Sequence, residues 1–316
     1  MHILSLEQIR RILPGLDLMS AIEAGFVAYS RGKSVVPPVG ELLLQDPPGD
    51  VHIKYGYLKG DDCYVIKIAS GFYGNAKLGL PSSNGMMLVF SQLSGQPLAL
   101  LLDEGYLTDV RTAIAGAIAA KYLAPRNVQR IGIVGTGAQA RLQLEYLLPV
   151  TRCRNVLAWG RDALKLARYV EDMSSFGFTL ECAADTAELL ANCDLIVTTT
   201  PATEPVLSAA AKPGTHITAI GSDTHDKQEL DTAILASADL VIADSISQCL
   251  ERGEIHQALK AGAMDKSAIV ELGGIIAGDA VGRTSDDQVT VADLTGVAVQ
   301  DIAIAKAVLK GIGSGA

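Results

Sequence analysis

Two lysines, an arginine, an aspartate and a glycine-spaced turn carry the chemistry this chain can offer. Lys54 and Lys67 lie in two alternating runs, residues 51–58 and 63–70, joined by Lys59-Gly60-Asp61-Asp62. A two-residue hairpin turn at Gly60-Asp61 sets a register in which Tyr55 faces Ile66, Tyr57 faces Tyr64 and Ile53 faces Ile68, all on one apolar face. On the other face His52 meets Ala69, Gly56 meets Val65, and Lys54 meets Lys67. Directly opposed lysines repel. They are tolerated where an anion lies between them, where one gives up its proton, or where the face is solvated. The small Gly56 and Ala69 leave room above this face, which favours a ligand. Arg111 follows Thr108, the expected N-cap of a helix, and Asp109 in its first turn. A cation in a first helical turn adds to the helix dipole and makes a carboxylate site; the plainer reading is a surface arginine.

The turn is Gly135-Thr136-Gly137-Ala138-Gln139-Ala140, spaced G-x-G-x-x-A. It follows an apolar run, residues 131–134, that reads as a buried parallel strand, and precedes a helical segment, residues 141–148. Strand, glycine turn and helix together are the context of a dinucleotide site. Gly135 permits the tight turn, Gly137 lets the backbone approach a pyrophosphate, and Ala140 lets the helix pack close to the strand. The pyrophosphate then sits on the helix N-terminus. The next strand, residues 155–159, ends in Trp159-Gly160-Arg161, where a ribose-binding carboxylate usually stands. An arginine there suits a 2′-phosphate and favours NADP(H) without excluding NAD(H), since Asp162 follows at once. Asp223 follows the strand at 217–220 within Gly221-Ser222-Asp223, beyond a strand's carboxyl end, where such sheets bind ligands. It could equally cap a helix at 229–236.

The surrounding elements read as α/β. Two helical segments within residues 5–32, broken at Pro14-Gly15, lead into a strand-rich stretch, 39–100, with a second hairpin turning at Ser94-Gly95. A helix rich in alanine and glycine runs to about Leu123 and is small enough to pack tightly on the nucleotide-binding part. Strands and helices then alternate: helices at 163–176, 186–191, 229–236 and 249–261, strands at 179–182, 194–199, 217–220, 240–243 and 288–293. A terminal helix, 297–311, could return to the first domain. The chain thus divides into a Rossmann-type dinucleotide-binding domain, 120–292, and an α+β domain made of 1–119 with 293–316.

Composition narrows the function classes. The chain has 316 residues and a formal net charge of −9, which gives no electrostatic support for nucleic-acid or membrane-surface binding. No stretch approaches a transmembrane span and no signal-peptide pattern opens the chain. Five cysteines without C-x-x-C read as reduced thiols of a cytoplasmic protein, and five scattered histidines form no metal-ligand pattern.

Lys67, Leu107-Thr108-Asp109-Val110-Arg111-Thr112-Ala113, the turn at 135–140, Gly221-Ser222-Asp223 and Leu294-Thr295-Gly296 occur in order. Together they resemble the ornithine cyclodeaminase/mu-crystallin family across essentially the whole chain. That family includes ornithine and lysine cyclodeaminases, alanine dehydrogenases, cyclic-imine reductases and the NADPH- and thyroid-hormone-binding mu-crystallins. The resemblance implies a homodimer acting on a small imine or amino acid. It implies Lys67 as catalytic lysine, Arg111 as ligand of the substrate carboxylate, Asp223 as the acidic group near the reacting atoms, and Thr295 and Gly296 beside the nicotinamide. Thr112, Gly135, Thr136, Gly137, Ala138, Gln139, Gly160, Arg161 and Thr199 complete the cofactor set, with no metal. Ornithine cyclodeaminase carries a glutamate in the segment matching Val51–Tyr57, where this chain has Lys54 instead; a lysine repels a diamine and attracts a carboxylate. The stretches His52–Tyr57 and Pro81–Gly85, with Asn84 as a further substrate residue, look most like reductases of Δ1-pyrroline-2-carboxylate and Δ1-piperideine-2-carboxylate. The implied reaction is reduction of such a cyclic imine to L-proline or L-pipecolate, with Lys54 and Arg111 on the carboxylate. Ornithine cyclodeaminase, an alanine-type dehydrogenase and a non-catalytic mu-crystallin-like protein are the alternatives.

Overall fold

The computed structural model describes residues 1–313 and divides into two compact units. One unit holds Met1–Arg111 together with the chain from Val297 onward, and the other holds Thr112–Gly296. One boundary falls inside the Leu107–Ala113 motif, between Arg111 and Thr112, and the other at the end of Leu294-Thr295-Gly296.

The first unit is built on a seven-stranded sheet of β1 (His2–Ser5), β2 (Ser34–Val35), β3 (Gly40–Gln45), β4 (Pro48–Leu58), β5 (Cys63–Gly71), β6 (Ser83–Ser91) and β7 (Pro97–Leu102). Its order is β1-β7-β6-β5-β4-β2, with β3 also pairing β4, and only the β1–β7 pair is parallel. The β4–β5 register is the one expected, including Lys54 opposite Lys67 and Tyr55 opposite Ile66. The turn that produces it is not. It is closed by the Asp61 N–H on the Leu58 carbonyl, so Lys59 and Gly60 are its central residues, with Gly60 at φ +81°. The side chain of Gln92 then donates to the carbonyls of Leu58 and Cys63 and holds the strand ends together.

The two sheet faces are used in an unexpected way. The lysine face is the buried one: Val65, Met87, Val89, Ala99 and Leu101 lie on it, each almost wholly buried. The helix Ala298–Gly313 packs on β4 and β5 and against the helix Leu18–Ser30. The apolar face is only half covered, with Tyr55, Met86 and Leu102 exposed among large hydrophobics. A solvated lysine face is therefore excluded.

The second unit holds an eight-stranded sheet, every neighbouring pair parallel. Its strands are β8 (Ile131–Val134), β9 (Asn155–Trp159), β10 (Thr179–Cys182), β11 (Leu195–Thr198), β12 (His216–Ala219), β13 (Leu240–Ala243), β14 (Ile269–Glu271) and β15 (Thr290–Asp293). The order β10-β9-β8-β11-β12-β15-β13-β14 places β8 beside β11 and reverses the direction of winding there, which is the crevice that defines a Rossmann-type site. β14 and the helix that follows it, Leu272–Ala277, were not foreseen; both are short and lack the periodicity that marks longer elements. The expected helix at 249–261 is two helices, Ile246–Cys249 and Gly253–Lys260, separated by residues 250–252, with Gly253 at φ +88° opening the second. The expected helix at 229–236 starts later, at Thr232, with Asp231 as its cap. Among the described residues no single helix is long and apolar enough to cross a membrane.

Candidate active site

In the first unit the buried lysine face carries a compact charge cluster. Lys67 Nζ lies 3.1 Å from Asp301 Oδ2, and Arg111 Nε lies 2.9 Å from Asp301 Oδ1. Arg111 Nη1 also donates to Gln300 Oε1 at 2.9 Å. Lys54, Lys67, Arg111 and Asp301 are 5, 2, 5 and 1% exposed. Four elements supply the members: β4 carries Lys54, β5 Lys67, the helix Tyr106–Leu123 Arg111, and the helix Ala298–Gly313 both Gln300 and Asp301.

Burial dominates the electrostatics here. It drives the Lys67 ammonium down from an ordinary 10.5 to about 7, with Arg111 and Lys54 adding to the fall and Asp301 opposing it. Burial alone would raise the Asp301 carboxyl, but Arg111, Lys67 and Lys54 together hold it below the usual carboxylate value. A buried lysine that titrates near neutrality can give and regain a proton at working pH.

Two expected details change. The helix that carries Arg111 begins at Tyr106, and its first turn is satisfied by Asp103, whose Oδ2 accepts from the Leu107 N–H at 2.8 Å. Thr108 is therefore inside the helix and Arg111 stands in the second turn. The guanidinium is held by Asp301 and Gln300, not placed by the helix dipole. Asn84 pairs with Ser70, an even number of residues from Ile68 and an odd number from Lys67. Strand alternation puts it on the face opposite Lys67, and its Oδ1 accepts the Gly85 N–H. Asp301 and Gln300 escaped the sequence reading, which returned the terminal helix to the first domain and gave its side chains no role.

In the second unit the glycine turn joins β8 to the helix Ala138–Tyr146. Gly135 has φ +116°, and a Cβ there would lie 2.5 Å from Thr199 Oγ1. A Cβ on Gly137 would meet no atom within 4 Å, and Gly137 caps the helix with no side chain. No side chain therefore caps the start of this helix, the end at which a helix favours an anion. Ala140 is fully buried, and the Tyr169 hydroxyl donates to its carbonyl. Gly116 comes so close to Gln143 that a Cβ would lie 2.1 Å from its Oε1, which is why this position carries no side chain. The Gln143 amide bridges Thr112 O and Gln139 Oε1. At the end of β9, Gly160 lies against the Thr136 side chain and Arg161 is exposed. Asp162 Oδ1 accepts the N–H groups of Leu164 and Lys165, so this carboxylate caps the next helix.

Beyond β11, β12 and β15 lies a network that sequence reasoning missed. Glu229 is buried and accepts from the Thr198 hydroxyl and from the N–H groups of Thr200 and Gly221. Glu254, pushed up to about 7 by burial and then by Glu229, accepts from Ser222 Oγ and the N–H groups of Glu229 and Leu230. Asp244 accepts from Thr295 Oγ1 at 3.1 Å and the Gly296 N–H at 2.7 Å. These carboxylates pin the loops on which Thr199, Asp223, Thr295 and Gly296 stand. Asp223 itself is paired with Lys227 at 2.7 Å and is partly exposed, and its carbonyl accepts from Arg252.

Sequence comparison settles the ancestry of this arrangement. The model of the ornithine cyclodeaminase/mu-crystallin family matches residues 2–315. The chain belongs to the ornithine cyclodeaminase/mu-crystallin family. Among its relatives within the family, an uncharacterized cyclodeaminase of Sinorhizobium fredii is 44% identical over 96% of this chain and 94% of its own. An archaeal alanine dehydrogenase dimer with bound NAD superposes with a TM-score of 0.91 at 35% identity, covering 99% of this chain and 96% of the other. The Δ1-pyrroline-2-carboxylate reductase of Thermococcus litoralis, in complex with NADH and L-proline, also gives 0.91, at 28% identity over 99% and 98% of the two chains. The α/β architecture with a Rossmann-type unit is that of the family.

Proposed function

We propose that this family member is an NAD(P)H-dependent oxidoreductase acting on CH–NH groups, and that it reduces a cyclic imine carboxylate to the amino acid. The substrate is Δ1-pyrroline-2-carboxylate, or its six-membered homologue Δ1-piperideine-2-carboxylate, and the product L-proline or L-pipecolate. The observation that carries this reading is the buried cluster of Lys54, Lys67 and Arg111 around a single carboxylate, Asp301. Three basic side chains thus converge on one buried sheet face, a setting in which a substrate carboxylate is held by charge-assisted contacts.

When bound, the nicotinamide supplies a hydride to the imine carbon. The chain must then supply one proton to the nitrogen. Lys67, near neutrality, gives that proton and regains one from solvent, so the C=N bond becomes CH–NH with one hydride and one proton consumed. Arg111 and Lys54 hold the carboxylate. Asp223, whose carboxylate is shared with Lys227, is the acidic group assigned to favour the iminium form of the substrate. Gly135, Thr136, Gly137, Ala138 and Gln139 cradle the pyrophosphate, with Thr112, Gly160, Thr199, Thr295 and Gly296 lining the rest of the dinucleotide. NADP(H) is the preferred form: Arg161 is exposed where a 2′-phosphate would lie, and Asp162 is occupied as a helix cap. NAD(H) is the second cofactor. The half-exposed apolar sheet face with Tyr55, Met86 and Leu102 is the surface of a homodimer.

A second reading, an alanine-type dehydrogenase working on an open-chain imine, is favoured by the greater identity to the archaeal alanine dehydrogenase. Ornithine cyclodeaminase is opposed by Lys54, buried where a diamine would need a carboxylate. The test is nicotinamide absorbance with NADPH and NADH against Δ1-pyrroline-2-carboxylate, Δ1-piperideine-2-carboxylate, pyruvate with ammonia or methylamine, and L-ornithine. Oxidation with the cyclic imines is the expected result. Oxidation only with pyruvate and an amine selects the second reading. Ammonia release from ornithine, or cofactor binding without any turnover, overturns both.

A further inference from the structure

We propose that Asp301 is a positioning residue whose two carboxylate oxygens hold Lys67 and Arg111 in fixed relation, and whose charge keeps Lys67 able to carry a proton. The proposal rests on the reading of Lys67 as proton donor and Arg111 as carboxylate ligand. Asp301 Oδ2 is 3.1 Å from Lys67 Nζ and Oδ1 is 2.9 Å from Arg111 Nε, so one planar group sets both cations. It comes from the helix Ala298–Gly313, whose Gln300 takes a second Arg111 nitrogen. Nothing else in the described cluster has the sign to do this. The charged groups packed around Lys67 are Lys54 from β4 and Arg111 from the helix Tyr106–Leu123, both positive. The other acid nearby, Asp103, is itself buried, spends Oδ2 on the Leu107 N–H, and is pushed up by burial. Met87, the β6 neighbour of Lys67, is uncharged.

A buried lysine between two other cations releases its proton unless a negative charge is held against it. Asp301 is therefore the group that keeps Lys67 from being permanently neutral, and the one that leaves Arg111 facing a substrate without rotating. Truncating a partner of a buried ion pair is disruptive because the remaining charge stays desolvated. The informative change is thus Asp301→Asn, which keeps the shape and removes the charge.

The experiment has two arms. In the first, the pH dependence of imine reduction is compared for wild type and Asp301→Asn, each saturated with reduced cofactor. The basic limb should move down by at least one pH unit, with an activity loss of about tenfold at pH 8 that shrinks towards pH 6. Gln300→Leu, which loosens Arg111 without changing charge, should raise the KM for the imine severalfold and leave the limb in place. In the second arm, lysine side-chain NMR titrations, with the Lys67 signal assigned by its loss in Lys67→Arg, read the same shift without turnover. A Lys67 titration unmoved in Asp301→Asn overturns the proposal, whether or not the enzyme is active. Absence of imine reduction by wild type would instead overturn the proposed function, and the NMR arm would still decide the role of Asp301.

Discussion

Replacing Lys67 by Met tests the chemistry most directly. The ordinary lysine value of 10.5 falls to about 7 in the fold, a difference of ~5 kcal/mol between the two protonation states. That cost is borne because Lys67 is wholly buried with Lys54 opposite it and Arg111 sharing its carboxylate. If the lysine donates the imine proton, Lys67→Met should lower kcat/KM by about 10²–10⁴-fold, the usual range for a positioned acid. Asp301 keeps Arg111 as its partner, so the fold and cofactor binding should survive. The wild-type kcat/KM should fall as pH rises through about 7, because only the protonated lysine donates. A bound carboxylate adds negative charge nearby, so the limb in kcat should lie at higher pH than that in kcat/KM. Stability carries the same signature with a defined sign. Between about 7 and 10.5 the unfolded chain binds a proton at Lys67 that the folded chain has released. Lys67 therefore makes stability rise with pH in that window, by up to ~1.4 kcal/mol per pH unit. Denaturant unfolding at pH 7, 8 and 9 should show a shallower rise in Lys67→Met. Full activity of that variant, read by nicotinamide absorbance, would refute the donor role, and identical stability slopes would refute the depressed lysine.

Other outcomes follow from the second unit and the exposed sheet face. Arg161→Ala should weaken NADPH about tenfold while leaving NADH nearly unchanged in fluorescence titrations; equal losses would remove the 2′-phosphate assignment. Gly137→Val adds a side chain where no atom lies within 4 Å, so the thermal transition should hold while affinity for both cofactors falls at least tenfold. Tyr55→Lys combined with Ile66→Glu charges the half-covered apolar face at residues paired across β4 and β5. Light scattering should report a dimer for wild type and a monomer for this variant; an unchanged mass would place the interface elsewhere.

Much of this protein was legible in the chain because the signals are local. Period-two alternation and a glycine-bearing connection determined that Lys54 faces Lys67, even though the turn itself closes one residue earlier than the glycine suggested. Strand, G-x-G-x-x-A and helix determined the nucleotide turn, since the positive φ of Gly135 and the open side of Gly137 are properties of residues adjacent in sequence. What the tertiary structure decided concerns partners far apart. Asp301 meets Lys67 and Arg111 only because a helix near the end of the chain packs on strands near its beginning. The same packing buries the lysine face and leaves the apolar one half covered, an inversion that polarity alone could not reveal. Glu229, Glu254 and Asp244 likewise look like ordinary acidic residues along the chain. Their burial, and the loop N–H and hydroxyl groups that converge on them, exist only once the parallel strands lie side by side. Sequence patterns fix what each segment does with its own neighbours; the charge on a buried side chain is fixed by which distant groups the fold brings against it.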